Sequence, residues 1–261
     1  MSDKLTAPKI TAMKADGRKI VCLTAYDAYF GALVDEAGVD LILVGDSAAN
    51  VVLGYSTTVS ISLEEMVHHV KAVRRGVQRA LLVADMPFGS YNSSTAQAVD
   101  SAVILMRAGA EAVKLEGDYP DAIAAMVKAG IPVMGHVGMT PQSVNVFGGF
   151  KVQGKGEAGQ AVIDAALSIQ NAGVFSIVLE LLPAELAREV TRATSVPTIG
   201  IGGGNECDGQ IQVLHDMLGM SKHRFKHAKR YVEADEQFLS GIKQYSNEVR
   251  SSQFPGPEHS F

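Results

Sequence analysis

The chain has 261 residues, of which 47% are hydrophobic and 20% charged, and its net charge is −5. A chain of this length and apolar content buries a sizeable core, and the length suits one domain of barrel size. Mild acidity without any block of like charges argues against nucleic acid and membrane surfaces as partners.

The chain opens on a polar stretch, Met1 to Gly17, that lacks a signal-peptide core. Ile20 to Thr24 is a short strand-like apolar run, and Cys22 within it reads as a small core hydrophobe. A helical stretch, Tyr29 to Ala37, stops at Gly38, and a second run, Leu41 to Val44, ends at Gly45-Asp46-Ser47. After a long connection, Ala48 to Ile61, the segment Ser62-Leu63-Glu64-Glu65 carries an N-cap with a carboxylate three residues on. It opens a helix to Arg75 that stops at Gly76. Leu81 to Ala84 ends at Asp85, and the next helix, Ser94 to Ala108, stops at Gly109. Ala112 to Leu115 ends at Glu116-Gly117, followed by a helix from Asp121 to Ala129. Pro132 to Gly135 ends at His136, and a second long connection spans Met139 to Ala158. A helix from Gly159 to Ala172 leads to Ser176 to Leu179, which ends at Glu180. Pro183 suits the first turn of a helix reaching Ala193. Thr198 to Ile201 runs into Gly202-Gly203-Gly204-Asn205, and Gln210 to Leu214 forms an eighth run ending at His215-Asp216. The basic stretch Lys222 to Arg230 reads as a solvated face, with an anion-attracting rim as the alternative. A terminal helix, Glu233 to Val249, is amphipathic enough to dock on a barrel wall.

Eight strand-like runs alternating with helices predict an α/β fold, a single (β/α)8 TIM barrel over residues 1–261. An open doubly wound sheet is the alternative, but no GxGxxG follows the first run. Cys22 and Cys207 form no CxxC pair, which fits a reducing compartment. No apolar run nears the roughly 20 residues of a membrane span. The expected location is the cytoplasm.

Four of the runs lead into a carboxylate: Asp46, Asp85, Glu116 and Glu180. In a barrel the C-terminal strand ends converge, so the four acids meet at one mouth. Unpaired, they repel and raise one another's pKa. Lys114, two residues before Glu116 and on the same strand face, supplies one positive charge. A hard divalent cation, with magnesium the expected one, supplies the rest. Zinc is disfavoured because His136 is the only nitrogen ligand among these strand ends. Asp46 and Asp85 are the expected metal ligands, and the metal they hold would chelate a 2-oxo acid through its carboxylate and keto oxygens. Glu180, from the far arc, is the expected base. Each residue also has a plainer reading. An Asp after a strand often caps a turn, Lys114 can be a barrel salt bridge, and His136 can be a core histidine. The glycine run is either a tight turn or a backbone nest for an anion.

At these residues the chain resembles the ketopantoate hydroxymethyltransferase family. The matching stretches are Leu23-Thr24-Ala25-Tyr26-Asp27, Leu43-Val44-Gly45-Asp46-Ser47, Ala84-Asp85-Met86-Pro87-Phe88-Gly89-Ser90-Tyr91 and Val113-Lys114-Leu115-Glu116-Gly117. Further ones are Gly135-His136-Val137-Gly138-Met139-Thr140-Pro141-Gln142-Ser143, Phe147-Gly148-Gly149-Phe150-Lys151-Val152-Gln153-Gly154, Leu179-Glu180 and the tail Glu258-His259-Ser260-Phe261. The resemblance implies a barrel of the phosphoenolpyruvate/pyruvate type. It implies transfer of a hydroxymethyl group from 5,10-methylenetetrahydrofolate to 3-methyl-2-oxobutanoate, giving 2-dehydropantoate for pantothenate synthesis. It implies magnesium on Asp46 and Asp85 with Glu116 in the metal shell, and substrate contacts from Asp46, Ser47, Asp85, Lys114 and His136. It assigns Glu180 as proton acceptor and implies a homodecamer. The chain departs from the family pattern at Asp118-Tyr119-Pro120 and at Gly203, and it matches loosely from Gly219 to Lys229.

Two other functions fit parts of the pattern. One is a magnesium-dependent lyase of 2-oxo or hydroxy acids, although neither cysteine lies in a lysine-flanked lid motif. The other is a non-catalytic anion-binding barrel, whose acids serve only as caps and salt bridges.

Overall fold

The computed structural model describes residues 3–261; Met1 and Ser2, the start of the polar N-terminal stretch, lie outside the described residues. Helix α1 is Ala7–Ala15, followed by β1 (Ile20–Thr24), α2 (Ala28–Glu36), β2 (Leu41–Val44), a short α3 (Ala48–Val51), α4 (Leu63–Gly76) and β3 (Leu81–Asp85). Then come α5 (Thr95–Ala108), β4 (Ala112–Lys114), α6 (Pro120–Lys128), β5 (Val133–Gly138), a short α7 (Val144–Phe147), α8 (Ala158–Asn171) and β6 (Ser176–Glu180). The last elements are α9 (Ala184–Ala193), β7 (Thr198–Ile201), β8 (Gly209–Gln212), a short α10 (Leu214–Met217) and α11 (Ala234–Arg250). The eight strands are parallel and close in sequence order, with β8 pairing β1. The expected barrel is therefore present, and the open sheet is excluded by that closing pair.

Local rules explain the elements. Ser62 accepts from the Glu65 N–H at 3.2 Å while Glu65 accepts from the Ser62 N–H at 2.7 Å, so α4 starts on the capping box read in the sequence. Ser94 and Asp27 cap α5 and α2 in the same way, through the N–H groups of Gln97 and Phe30. Gly109 ends α5 in the left-handed region at φ 114°, a conformation that an L side chain resists.

β3, β4 and β6 end within one residue of the sequence reading, and β5 and β8 differ more. β5 continues past Gly135 to Gly138, which places His136 inside the strand beside Val178. β8 begins one residue earlier than expected and ends at Gln212, because the chain from Leu214 turns into a short helix. Gly209 starts β8 where a Cβ would run into the backbone oxygen of Ile20, so the closing strand approaches β1 there only without a side chain.

The barrel interior follows from the period of two along each strand. Leu81 and Val83 belong to the buried apolar cluster, and two residues on from Val83 comes Asp85. Ala112 precedes Lys114 and Glu116 by the same step, Met134 precedes His136, and Val178 precedes Glu180. Each of these interior faces runs from an apolar floor to an ionisable mouth.

The floor is closed by α1, which the polar look of residues 1–17 concealed. Leu5, Ala7, Ile10 and Met13 join the same cluster as Ile20, Leu41 and Phe175. Ile10 is fully buried. Ile10→Ala is expected to cost about 2–5 kcal/mol in urea unfolding, whereas a surface attachment of α1 would leave the midpoint unchanged.

Contacts divide the chain into a barrel unit ending at Val213 and a C-terminal unit, Leu214–Phe261. Within the second unit, Glu233 pairs with Arg224 at 3.1 Å and Arg230 at 2.8 Å. The basic stretch is largely exposed, as a solvated face should be. Along α11, Phe238, Leu239, Ile242, Tyr245 and Val249 are exposed. Among the described residues, no helix is long and apolar enough to cross a membrane.

Candidate active site

Asp85 is the last residue of β3 and lies in register with Lys114, the last residue of β4. Neighbours in register on parallel strands share a face, and Lys114 Nζ donates to Asp85 Oδ1 at 2.5 Å. The other oxygen, Oδ2, accepts from the backbone N–H of Asp46 at 2.9 Å, which ties the turn after β2 to the end of β3. Glu116 lies two residues past β4, with Oε1 at 3.8 Å from Lys114 Nζ and 3.5 Å from His136 Nδ1. His136 Nε2 lies 3.4 Å from Glu180 Oε2. Asp46, Asp85, Lys114, Glu116, His136 and Glu180 thus form one connected set across β2 to β6.

Ser47, also expected at the site, is bonded from the β1 side. Its Oγ lies 2.8 Å from the Tyr26 hydroxyl, and a Cβ on Gly45 would meet both this Oγ, at 2.8 Å, and Asp85 Oδ2, at 3.5 Å. Tyr26 is held in turn by its carbonyl, 2.8 Å from His69 Nδ1. The glycine run packs closely on α9: a Cβ on Gly203 would lie 3.2 Å from the Ala187 Cβ, and one on Gly204 2.7 Å from that of Ala184.

The electrostatics follow from burial. Asp46 is buried, and burial together with the Asp85 and Glu116 carboxylates pushes its carboxyl well above the usual range. Burial works against the Lys114 ammonium, but Asp85, Glu116 and Asp46 more than offset it and push its pKa up. Burial likewise opposes a charged His136, yet Glu116 and Glu180 raise its pKa to about 9. His136 is therefore an imidazolium near neutrality. Neither of its ring nitrogens makes a well-aligned hydrogen bond, so its link to both acids is ionic. Glu116 would be raised by burial, but His136, Lys114 and the Gln142 N–H bring it below the ordinary value.

The donor set suits a hard cation. Three buried carboxylates, Asp46, Asp85 and Glu116, converge beside Lys114 and His136, and burial together with the neighbouring carboxylates pushes the Asp46 carboxyl up. Among the described residues, no three His, Cys, Asp or Glu side chains form a preformed ligand cage. Magnesium needs none, since it uses one or two carboxylates and keeps several waters. Zinc fits poorly, because both His136 nitrogens face carboxylates.

Gln142 was not singled out from the sequence. It lies in the turn after β5, and it is buried. Its Nε2 donates to Asp46 Oδ2 at 2.9 Å and to the Met86 carbonyl at 3.0 Å, while its backbone N–H donates to Glu116 Oε2 at 2.9 Å. Tyr91, from the loop after β3, donates its hydroxyl to Gln142 Oε1 at 2.6 Å. Both residues stand inside stretches matched to the family, but nothing in their local spacing marks them as buried polar groups.

Comparison with known proteins decides the relationship. The family model described as ketopantoate hydroxymethyltransferase matches residues 4–257. The chain belongs to that family. It is an enzyme, a hydroxymethyltransferase. A relative from Aeropyrum pernix, named 3-methyl-2-oxobutanoate hydroxymethyltransferase, is 52% identical over 98% of this chain and 94% of its own length. One of the same name from Cyanothece sp. is 50% identical over 97% of this chain and 98% of its own length.

Solved structures extend the fold beyond the family. A phosphonopyruvate hydrolase complexed with oxalate and magnesium aligns with a TM-score of 0.64 at 12% identity, over 98% of this chain and 93% of that one. A 2,3-dimethylmalate lyase of the PEP mutase/isocitrate lyase superfamily aligns at 0.60 and 14%, over 96% and 89%. At such identities they establish the barrel type alone, and it is the type expected from the sequence.

Proposed function

We propose that this enzyme transfers a hydroxymethyl group from 5,10-methylenetetrahydrofolate to 3-methyl-2-oxobutanoate, giving 2-dehydropantoate for pantothenate synthesis, as a single catalytic domain in the cytoplasm. The observation that carries this reading is the Asp46–Asp85–Lys114–Glu116–His136–Glu180 set at the mouth of a barrel whose sequence matches the family from end to end.

Asp46 and Asp85 would hold magnesium, with Glu116 next to it through water. Bound there, the ion would supply a Lewis acid beside the keto and carboxylate oxygens of the oxo acid. Lys114 adds a fixed positive charge on the same side, where negative charge develops. Glu180 takes the C3 proton. It suits that role because its side chain is 14% exposed, against 2% for Glu116, so it alone of the pair has a face open to a substrate. The resulting carbanion equivalent bonds to the one-carbon unit once water has released it from the folate as formaldehyde, so that water supplies the hydroxyl oxygen, tetrahydrofolate leaves, and the proton held by Glu180 passes to the new alkoxide. His136, charged and adjacent to Glu180, holds that carboxylate in place and lies where the new hydroxymethyl group forms. Ser47 would contact substrate from the β1 side, positioned by Tyr26.

The lyase alternative is weakened by the burial of both Cys22 and Cys207, which leaves neither free to protonate a product from a lid. A homodecamer is part of the same proposal, and the exposed apolar residues of α11 are surface that such an assembly would cover.

The test is proton exchange. With magnesium and 3-methyl-2-oxobutanoate in deuterated water, NMR should show loss of the C3 proton without any folate. 2-Dehydropantoate should form only once 5,10-methylenetetrahydrofolate is added. Absence of exchange in folded, magnesium-loaded protein would sink the reading.

A further inference from the structure

We infer that Gln142 is a positioning residue that sets the geometry of the cation site by choosing which oxygen of Asp46 faces the metal. The inference rests on the assignment of Asp46 and Asp85 as magnesium ligands, and it concerns a residue outside that ligand set.

The amide of Gln142 has no remaining freedom. Its two N–H groups go to Asp46 Oδ2 and to the Met86 carbonyl, and its oxygen accepts from the Tyr91 hydroxyl. Turning the amide over would aim its oxygen at the Met86 carbonyl, an acceptor without a proton, and would set an N–H against the Tyr91 hydroxyl, which already receives the Glu116 N–H. Tyr91 is almost fully buried; its hydroxyl accepts from the Glu116 N–H at 3.3 Å and lies closer to Gln142 Oε1, at 2.6 Å, than to the Glu116 carbonyl, at 3.2 Å, so its proton is directed to Gln142. Oδ2 of Asp46 therefore turns one lone pair to Gln142, and Oδ1, which the amide does not touch, is the oxygen freer to meet a cation. One oxygen per carboxylate is what the compact octahedral shell of magnesium requires, whereas a carboxylate free to turn could bind through both.

The reach of the residue extends further. Met86 directly follows Asp85, so the bond to its carbonyl braces the end of β3. The backbone N–H of Gln142 holds Glu116 Oε2, which leaves Oε1 toward Lys114 and His136. One residue from the turn after β5 thus fastens the ends of β2, β3 and β4 together. Groups that orient ligands in this way commonly change metal affinity by about 10–100-fold when removed.

The experiment uses manganese as the probe, read from the paramagnetic resonance signal of the free ion, in full-length protein without substrate. Gln142→Met keeps the volume and removes both donors. It should weaken manganese binding about 10-fold or more, with circular dichroism unchanged. Its turnover should recover as magnesium is raised, with kcat approaching wild type. A residue that only packed the loop would lose kcat without such rescue.

Tyr91→Phe provides a second reading should Gln142→Met fail to fold. It leaves Gln142 in place but frees the amide to turn, and manganese affinity should fall by a smaller factor. Wild-type affinity in folded Gln142→Met, or in Tyr91→Phe if only that variant folds, overturns the inference. If Asp46→Asn loses manganese while Gln142→Met keeps it, the ligand assignment stands and only the positioning role falls. If wild type itself binds no manganese, both fall together.

Discussion

Glu180→Gln is expected to bind manganese and 3-methyl-2-oxobutanoate near wild-type strength, yet to exchange the C3 proton about 100- to 10,000-fold more slowly. The amide keeps the size of the carboxylate, so the barrel mouth is not remodelled. It cannot accept a proton at neutral pH. Binding should persist because Asp46 and Asp85 sit on the opposite arc, and neither contacts Glu180 in the network of bonds around Lys114 and Gln142. His136 loses one of its two carboxylate partners, but Glu116 remains 3.5 Å from its Nδ1 and keeps the ring in place. Exchange is read by proton NMR in deuterated water and binding by calorimetry on the same sample. Near-normal exchange in that protein would move the base role to another group.

Lys114→Met is expected to destabilise the cation-free protein by about 3–5 kcal/mol, the usual cost of removing one partner from a buried ionic cluster. Lys114 is buried and bonds directly to Asp85, with Glu116 at 3.8 Å. Without it, Asp46, Asp85 and Glu116 face one another with only His136 nearby. A divalent cation then becomes the chief compensating charge for Asp46 and Asp85. Magnesium should consequently raise the unfolding midpoint more in the variant than in wild type, since a ligand bound to the folded state stabilises it in proportion to its affinity. Urea unfolding with and without magnesium checks both parts. An equal magnesium response in the two proteins would mean that Lys114 and the cation do not share a charge-balancing role. Turnover should be lost in either case, because the ammonium is also placed to meet the negative charge that develops on the oxo acid.

The arrangement explains why the cluster is assembled from strand ends. A loop acid would relax toward water and give up its neighbours. Asp85 cannot, because it is in register with Lys114 on the next strand and receives the N–H of Asp46. Rigid placement keeps like charges close without solvent, the arrangement that the proposed magnesium site would use.

The sequence by itself determined the barrel and the acidic mouth. Alternation of β-branched runs with glycine-stopped helices dictates parallel strands, and the period of two places Asp85, Lys114, Glu116 and Glu180 on interior faces whatever the loops do. Such information is local, carried by neighbours along the chain, and a single sequence holds it in full. Only the tertiary structure decided the rest. His136 falls within β5 because pairing with β6 extends the strand beyond its apolar run. Helix α1 became the barrel floor because the open end exposes Ile20, Leu41 and Phe175, and a modest apolar face seven residues into the chain is enough to cover them. Gln142 gained its place because burial removes water from its amide and leaves it only Asp46, Met86 and Tyr91 as partners. Each of these outcomes depends on groups far apart in the chain, and no local pattern records which distant polar atoms a fold will bring together.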